Sequence, residues 1–485
     1  MNGRAAMPAD EVSLLSIDRG SVTSPAGCGK THLIASALRS HAGQKPILIL
    51  THTNAGVAAL RGRLNDQNIS PKNYRLSTID GWAMRLISTF PGRSEHDVRI
   101  LNLLTPGSDY PAIRVAAVKL LSAGHIQDVL AATYDRLFVD EYQDCSIQQH
   151  EIVSHTSETL KTCVLGDPMQ AIFGFRGNQL VDWAGDVVTR FPSSGVLATP
   201  WRWINAEAEE LGRWLLDVRT ALARGESIDL ARAPAAVSWI RLSGNDQDER
   251  SIRLEACRTQ STDPNVRVLI IGDSRKPDGQ LQYACQTPGA IAVEAVDLKG
   301  LISFARDFVL SDIDALQRLI MFAGSVMTQV NASSLINRID VLARGRSRSP
   351  ATPVEAAALS FKQSPSFVAA IAFLVAAEAI AMSRTFRPAV LKACMKSLQF
   401  CANDASLTFL DACIRTREQY RAFGRPLPKR GVGSTLLLKG LEADSVVILD
   451  PSTMDSNNLY VAMTRGSRSL TICSSTSILN PTSER

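Results

Sequence analysis

The feature that most constrains the fold of this chain is a glycine turn between a strand pattern and a helix pattern. Residues 21–23 are β-branched or small, Gly27 and Gly29 open a turn, and from Lys30 onward apolar residues recur at helical spacing. Glycines allow the N–H groups of such a turn to converge, and the N-terminus of the following helix carries partial positive charge. The pattern predicts a phosphate-binding loop in an α/β protein, with Lys30 on the phosphates and the Thr31 hydroxyl on Mg²⁺.

Short aliphatic runs alternate with helical patterns from this turn to about residue 200. They end in small polar or acidic residues and cover 46–50, 74–79, 136–139 and 162–165. Nearly continuous aliphatic strands between helices are typical of a parallel sheet with both faces buried, whose ligand site lies at the carboxyl ends of its strands. The glycine turn alone has the alternative of a chance turn before a helix, and the regular placement of polar residues after strands argues against it.

A second group of strand patterns lies in the C-terminal half of the chain, at 266–271, 445–450 and 470–473. Between about residues 300 and 425 the sequence is rich in Ala, Leu and Ile at helical periodicity, and residues 89–131 are also helical in pattern. We therefore expect a doubly wound α/β fold in which helical insertions interrupt the strand-bearing regions.

Composition limits the class of protein. A chain of 485 residues is too long for one core, and a formal net charge of +5 is too small to predict a polyanionic partner by itself. Nine cysteines without any CxxC pair favour reduced thiols over a disulfide framework or a zinc site. The most apolar run, 367–382, carries Glu378, and the N-terminus lacks a signal-peptide layout, so we expect a cytoplasmic protein without a membrane partner.

Acidic and basic residues supply candidates for phosphoryl-transfer chemistry. Asp140 and Glu141 follow the strand pattern 136–139. In a nucleotide hydrolase such an Asp holds Mg²⁺ and the Glu polarises the attacking water, whereas the alternative for the pair is a helix N-cap. Charge developing on the transferred phosphoryl group also requires cations, and Arg202 and Arg465 are candidates. The alternative for each arginine is an exposed surface position.

Eight segments with polar, acidic or glycine-rich patterns follow one another along the chain. They are AGCGKT (26–31), LTHTNAGVAAL (50–60), STIDGWAMRLI (77–87), VDEYQD (139–144), LGDPMQAIFGFRG (165–177), PWRW (200–203), LKGLEADSVVI (438–448) and LYVAMTRG (459–466). In this order they resemble the motifs of the UvrD/Rep-like superfamily 1 DNA helicases. The resemblance spans nearly the whole chain. It implies two RecA-like doubly wound parallel-sheet lobes with mainly helical insertions.

The resemblance also implies domain boundaries. Lobe 1A would comprise 10–88 and 132–200, insertion 1B 89–131, lobe 2A 201–300 and 430–478, and insertion 2B 301–429. ATP would bind between lobes 1A and 2A.

Position by position, the resemblance implies a site for ATP and Mg²⁺. The implied nucleotide-binding residues are Ala26, Gly27, Cys28, Gly29, Lys30, Thr31, the adenine-stacking Trp201 and the ribose-binding Glu442. The implied metal ligands are Thr31 and Asp140. The implied catalytic residues are Lys30, the base Glu141, the γ-phosphate contact Gln170, and two arginine fingers, Arg202 and Arg465.

A groove for single-stranded DNA, or for a junction of single and double strands, is implied as well. Its residues would be Thr51, His52, Asn54, Thr78, Trp82, Phe173, Phe175 and Arg176. Phe173 and Phe175 alternate with small residues in a glycine-rich loop, which suits base stacking worth about 1–3 kcal/mol per base. Packing is the alternative for Phe173. The run 344–348 favours a solvated loop, with duplex phosphates as the alternative contact.

Three departures from the family pattern limit what the resemblance implies. No Gln precedes Gln44, so a residue that reads the adenine edge is missing upstream of the glycine turn. His52 stands where the family commonly has Phe. The two insertions are short for the family, which predicts reduced duplex-engaging subdomains.

The resemblance implies an ATP-dependent DNA helicase or translocase moving 3′ to 5′ on single-stranded DNA. The alternative is a DNA-sensing nucleotide switch that regulates a nuclease without processive unwinding. The small size resembles the UvrD-like subunits of Gabija-type anti-phage systems, and this version implies an OLD-family nuclease as partner. A small-molecule kinase using the same loop would leave the C-terminal motifs unexplained.

Overall fold

The computed structural model describes residues 12–174, 179–258, 266–422 and 428–482. The chain forms two compact units. Unit 1 comprises Met1–Arg241 and Lys439–Arg485, and unit 2 comprises Leu242–Leu438.

The strands belong to two parallel sheets and one short antiparallel pair. Their bounds are β1 Arg19–Thr23, β2 Ile47–Thr51, β3 Tyr74–Thr78, β4 Arg136–Val139, β5 Lys161–Gly166, β6 Ser193–Val196, β7 Ile228–Asp229, β8 Val237–Arg241, β9 Val268–Ile271, β10 Ile291–Ala292, β11 Arg430–Gly433, β12 Ala443–Ile448, β13 Gly466–Ser474 and β14 Ile478–Leu479.

The first sheet lies wholly in unit 1 and has the order β3-β2-β4-β5-β1-β6, with parallel pairing throughout. The remaining parallel strands are ordered β12-β13-β8 in unit 1 and β10-β11-β9 in unit 2. The antiparallel pair joins β7 to β14. The predicted α/β fold with two parallel-sheet lobes is confirmed.

Helices connect the strands and form most of unit 2. Their bounds are α1 Lys30–Ser40, α2 Asn54–Asp66, α3 Ile79–Thr89, α4 Pro91–Ser94, α5 Pro106–Ser122, α6 Gln127–Thr133, α7 Ile147–Thr156, α8 Val188–Arg190, α9 Trp201–Ile204, α10 Glu209–Ala223, α11 Asp246–Cys257, α12 Pro277–Gln286, α13 Lys299–Asp307, α14 Ala315–Val326, α15 Ala332–Ala343, α16 Pro353–Gln363, α17 Phe367–Glu378, α18 Pro388–Asn403, α19 Phe409–Ala422, α20 Thr435–Leu438 and α21 Ser456–Met463.

Both faces of the first sheet are buried, because successive strand residues point to opposite sides. Leu48 and Leu50 join one apolar cluster with residues of α3, α5 and α7, whereas Ile47 and Ile49 join another with residues of α1 and α2. The helices between residues 106 and 133 therefore share a core with the sheet. This two-sided burial explains why residues 47–50 of β2 and residues 137–139 of β4 are continuously apolar.

Unit 2 has its own aromatic core. The rings of Phe304 and Phe322 stack with centroids 4.2 Å apart, and Phe409 meets Phe304 edge to face. The apolar run predicted to be a buried helix forms α17, whose Phe373 and Leu374 are fully buried. The four-part domain boundaries stay a prediction.

Taken one at a time, the helices of the described residues all fall short of the combined length and apolarity that a membrane span requires. The helices α5 and α6 meet that requirement of length and composition only as a pair, bent by 95°.

Candidate nucleotide-binding site

The glycine turn is closely packed against the start of α9. Gly27 and Gly29 have positive φ angles of 72° and 91°, and the Gly27 carbonyl accepts a hydrogen bond of 3.0 Å from the backbone N–H of Arg202. A Cβ atom at Gly27 would lie 2.5 Å from the Trp203 ring and 2.9 Å from Arg202 Cβ. Position 27 therefore requires glycine both for its backbone conformation and for the space around it.

Residues of the turn lie between β1 and α1, as the sequence predicts. Ala26 and Cys28 are buried, and the Ala26 N–H donates to the hydroxyl of Tyr460 on α21 over 3.1 Å. One loop N–H is thus already paired with a C-terminal motif residue. Tyr460 was not predicted as part of the site, although it lies in the quoted segment LYVAMTRG.

Lys30 begins α1 and is paired with both predicted carboxylates. Its Nζ lies 2.8 Å from Asp140 Oδ1 and 2.5 Å from Glu141 Oε1. Although burial disfavours its charged form, these two carboxylates raise the pKa of Lys30 above its usual value. Burial favours protonated Glu141, but Lys30 and Lys439 outweigh it and hold the Glu141 pKa at about 2.

Glu141 is held in a sparsely populated backbone conformation, with a φ of +55°. It is the second residue after β4 and directly precedes the short 3₁₀ helix Tyr142–Asp144. Such left-handed conformations in non-glycine residues cost free energy and concentrate at functional sites. Its second oxygen, Oε2, accepts a hydrogen bond of 2.6 Å from Gln143 Nε2. The side chain is therefore oriented on both oxygens.

The predicted metal ligands supply oxygen atoms of the type that Mg²⁺ prefers. Asp140 Oδ1 is buried, lies beside Lys30 without hydrogen-bond geometry, and has no hydrogen-bond partner among the described residues. The Thr31 hydroxyl accepts a bond of 3.1 Å from Arg63 Nη1. Among the described residues no cluster of three or more metal-ligating side chains occurs. Two oxygen ligands fit Mg²⁺, which keeps several waters and is completed by substrate phosphates.

Glu442 forms ion pairs with two arginines near the turn. Its Oε1 accepts hydrogen bonds of 2.6 Å from Arg202 Nη2 and 3.0 Å from Arg63 Nη2. Burial raises the pKa of the Glu442 carboxyl, but Arg202, Arg63 and Arg465 together hold it at about 2. The sequence analysis did not identify Arg63, because the local pattern of α2 gives no sign that this residue contacts Glu442.

Arg465 is buried, with 3% of its surface exposed. Its Nε donates to the Val461 carbonyl over 2.9 Å, and its Nη2 donates to the Thr464 hydroxyl over 3.2 Å. Burial, and then repulsion by Arg202, lower the pKa of Arg465 to about 10, while Glu442 and Glu141 oppose this shift. Both predicted arginines therefore lie in the same unit as Lys30 and within electrostatic reach of its surroundings.

Gln170 and Trp201 are the remaining residues predicted at the nucleotide. Gln170 is buried and its Nε2 donates to Asp167 Oδ2 over 3.1 Å. Trp201 is half-buried at the first position of α9.

Lys439 and Asp144 form a buried ion pair that sequence reasoning did not assign to the site. Lys439 Nζ lies 2.6 Å from each carboxylate oxygen of Asp144 and 2.5 Å from the Gln170 carbonyl. It also lies 4.8 Å from the ring centroid of Phe173. Burial raises the pKa of Asp144 to about 7 although Lys439 opposes the shift. Both residues stand in quoted motifs, but their pairing across the sequence leaves no local signal.

The residues predicted to bind DNA have different environments. Asn54 is exposed at the start of α2, and Thr78 caps α3 by accepting a bond of 3.0 Å from the Gly81 N–H. The His52 and Phe173 rings lie 5.4 Å apart, and burial lowers the pKa of His52 to about 4, so its ring is neutral at pH 7. Phe175 and Arg176 lie outside the described residues.

Thr51 and Trp82 are buried. Trp82 is 2% exposed and packs in the apolar cluster beneath the first sheet, a placement that does not favour the predicted contact with a base. The reason is that α3 is amphipathic and carries Trp82 on its apolar face. Thr51 Oγ1, His52 Nδ1 and Trp82 Nε1 are buried polar atoms without a hydrogen-bond partner in the described part of the chain.

A family model agrees with the resemblance inferred from the motifs. Residues 101–181 match the family model of the UvrD/REP helicase N-terminal domain. Over 61 residues the chain is 39% identical to the RecBCD enzyme subunit RecB of Buchnera aphidicola subsp. Acyrthosiphon pisum (strain APS). That match covers 12% of this chain and only 5% of the RecB subunit.

A structural comparison finds the crystal structure of Pif1 helicase from Candida albicans, with a TM-score of 0.41 and 11% identity over 95% of this chain and 92% of that chain. The resemblance to UvrD/Rep-like helicases is confirmed at the family level over 101–181. That segment contains Asp140, Glu141 and Gln170.

Proposed function

We propose that this protein is an ATP-dependent DNA helicase or translocase of the UvrD-like type, which hydrolyses ATP and moves 3′ to 5′ on single-stranded DNA. The observation that carries the proposal is the convergence of charge around one glycine turn. Lys30, Asp140 and Glu141 lie on one side of it, and Arg202 packs directly on Gly27. Phosphoryl transfer depends mainly on such positioned charges.

Each residue of the site has a role in this reaction. The N–H groups of the turn and Lys30 would bind the β- and γ-phosphates, and Glu141 would polarise the attacking water. Arg202 and Arg465 would neutralise charge that develops on the γ-phosphoryl oxygens. Mg²⁺ held by Thr31 and Asp140 would supply charge neutralisation at the phosphate oxygens. Because Lys30 is paired with Asp140 and Glu141, phosphate would replace carboxylates as its partner.

The DNA contact is proposed at the ends of β2 and β3. Buried polar atoms without partners, such as Thr51 Oγ1 and His52 Nδ1, are rare in folded proteins and favour a polar ligand nearby. The neutral His52 ring and Phe173 present apolar faces on which bases can stack. Lys439 contacts both the Phe173 ring and the Gln170 carbonyl, so it connects this surface to the nucleotide site.

Phosphate release with and without single-stranded DNA tests the proposal. We expect DNA-stimulated ATP hydrolysis that Lys30→Ala reduces by a factor of about 10²–10³, the usual loss when one electrostatic contact to the transferred group is removed. Lys72→Ala is a matched control, since Lys72 is exposed in the turn before β3, at the amino end of that strand and not at the carboxyl end, where the site residues of the sheet lie. Unchanged turnover in Lys30→Ala would exclude this site as the hydrolytic one.

A strand-displacement assay on a duplex with a 3′ single-stranded tail separates a motor from a switch. A motor displaces the strand in proportion to the ATP consumed. ATP hydrolysis stimulated by DNA without displacement or translocation would instead support the regulatory alternative, in which the chain acts with a nuclease.

A further inference from the structure

A largely buried arginine outside the quoted motifs is joined by hydrogen bonds to residues of the nucleotide site. Arg219 lies near the end of α10, and its Nε and Nη2 donate to Asp167 Oδ1 over 3.0 and 2.7 Å. The Asp167 side chain is fully buried and that of Arg219 is 17% exposed. A buried carboxylate requires such a partner, because an unpaired buried charge is strongly destabilising.

Asp167 is oriented on both of its oxygens. Oδ1 also accepts a bond of 3.2 Å from the Met169 N–H, while Oδ2 accepts one of 3.1 Å from Gln170 Nε2. Asp167 follows β5 directly, so Arg219 fixes the strand end from which Gln170 projects.

The same strand end orients Gln143. The Asp167 N–H donates to Gln143 Oε1 over 3.1 Å, and Gln143 Nε2 donates to Glu141 Oε2 over 2.6 Å. The amide of Gln143 therefore has one orientation, since a flipped amide would present its NH₂ group to the Asp167 N–H and its oxygen to a carboxylate. A Cβ at Gly166 would lie 2.5 Å from Gln143 Oε1, so the glycine leaves the space that this side chain occupies.

We propose that Arg219 is a positioning residue for ATP hydrolysis, which acts through Asp167 and Gln143 to orient the carboxylate of Glu141. The inference rests on the proposed function, in which Glu141 polarises the attacking water. Arg219 does not touch the substrate. It holds Asp167 in place. From this position the Asp167 N–H orients the Gln143 amide, and the Asp167 carboxylate orients Gln170.

The test compares Arg219→Met, Arg219→Lys and Arg213→Met in DNA-stimulated ATP hydrolysis. Arg213 is a matched control on the same helix, because its side chain is 74% exposed and pairs only with Glu209 one turn away in the described contacts. We expect Arg219→Met to lower kcat about 10- to 100-fold, as misplacement of a catalytic group does, with KM for ATP changed less than about threefold. Arg219→Lys should recover part of kcat because an ammonium can still donate to Asp167, and Arg213→Met should match the wild type.

A double variant separates positioning from stability. Asp167→Asn combined with Arg219→Met removes the unpaired buried charge, so we expect its Tm to return toward that of the wild type while kcat stays low. Recovery of kcat together with Tm would show a merely structural role and overturn the inference. A crystal structure of Arg219→Met in which Gln143 still donates to Glu141 would overturn it as well, whether or not the protein hydrolyses ATP.

Failure of the two proposals is distinguishable. Absence of ATP hydrolysis in the wild-type protein contradicts the proposed function. Wild-type hydrolysis together with a normal kcat in Arg219→Met contradicts only the role of Arg219.

Discussion

Replacing Gly27 by alanine separates backbone strain from steric overlap in the glycine turn. Gly27 has a φ of 72°, and an added Cβ would meet the Trp203 ring at 2.5 Å. Gly225, after the end of α10, has a nearly identical φ of 71° and no atom within 4 Å of an added Cβ. The left-handed backbone alone costs alanine about 1–2 kcal/mol. Overlap in a packed site adds about 1–3 kcal/mol.

We therefore expect Gly225→Ala to lower the free energy of unfolding by about 1–2 kcal/mol and Gly27→Ala by about 2–5 kcal/mol. Urea denaturation followed by circular dichroism measures both. Gly27→Ala should also weaken binding of a fluorescent ATP analogue, whereas Gly225→Ala should not. Trp203→Phe shortens the ring, so it should partly offset the loss in a Gly27→Ala background. Equal destabilisation by the two alanines, with unchanged nucleotide binding in both, would refute the packing argument.

Substitutions at four other charged or buried residues should change stability or DNA binding in a defined direction. Glu442→Gln should lower unfolding free energy at pH 7 by about 1–2 kcal/mol, less than the pKa shift alone implies because the carboxylate is partly exposed. The folded-state pKa of Glu442 is lowered to about 2, so the stability that its carboxylate contributes is present above pH 4.5 and disappears as the pH falls toward 2. Urea denaturation of the wild type and of Glu442→Gln at several pH values measures this difference. Lys439→Met should destabilise by about 1–3 kcal/mol at pH 7, because Asp144 loses its partner and, with its pKa already raised to about 7, is then buried as the neutral acid. Adding Asp144→Asn should restore most of the loss in thermal unfolding. Trp82→Ala should lower the free energy of unfolding by about 3–5 kcal/mol, because it truncates a core side chain. His52→Ala should instead weaken binding of single-stranded DNA, measured by fluorescence anisotropy, with little change in Tm. The reverse pattern would contradict the placement of both side chains.

Most of the strands that sequence reasoning predicts have both faces buried, although the half-buried edge strand β3 was predicted as well. The runs at 136–139 and 162–165 lie within or coincide with β4 and β5, central strands whose aliphatic residues fill two cores. Strand β6 was not predicted, because Ser193–Val196 lies at the edge of the first sheet and is largely exposed. Periodicity reports burial, so a polar edge strand carries no such signal.

The candidate site divides in the same way. Lys30, Asp140 and Glu141 are predictable because each follows a strand and lies in a motif with a chemical reason for its spacing. Arg63 and Arg219 are not predictable, since each lies within a helix whose local pattern is ordinary and acquires its partner only when the chain folds. Pairings across hundreds of residues, such as that of Lys439 with Asp144, leave no mark in local sequence.

The ionic balance of the site limits which ligand it can accept. Arg465 donates to a carbonyl and a hydroxyl, whereas the cations Lys30, Arg63 and Arg202 are paired with the carboxylates of Asp140, Glu141 and Glu442. Because those cations already have partners, a ligand gains little from meeting an isolated charge and must instead offer several oxygen atoms that can replace several carboxylates together. A polyphosphate does so, whereas a monoanion replaces only one pairing and leaves the others buried as they were. We therefore expect ATP and ADP, but not inorganic phosphate at similar concentrations, to raise the Tm of this protein, and equal stabilisation by phosphate would contradict that account.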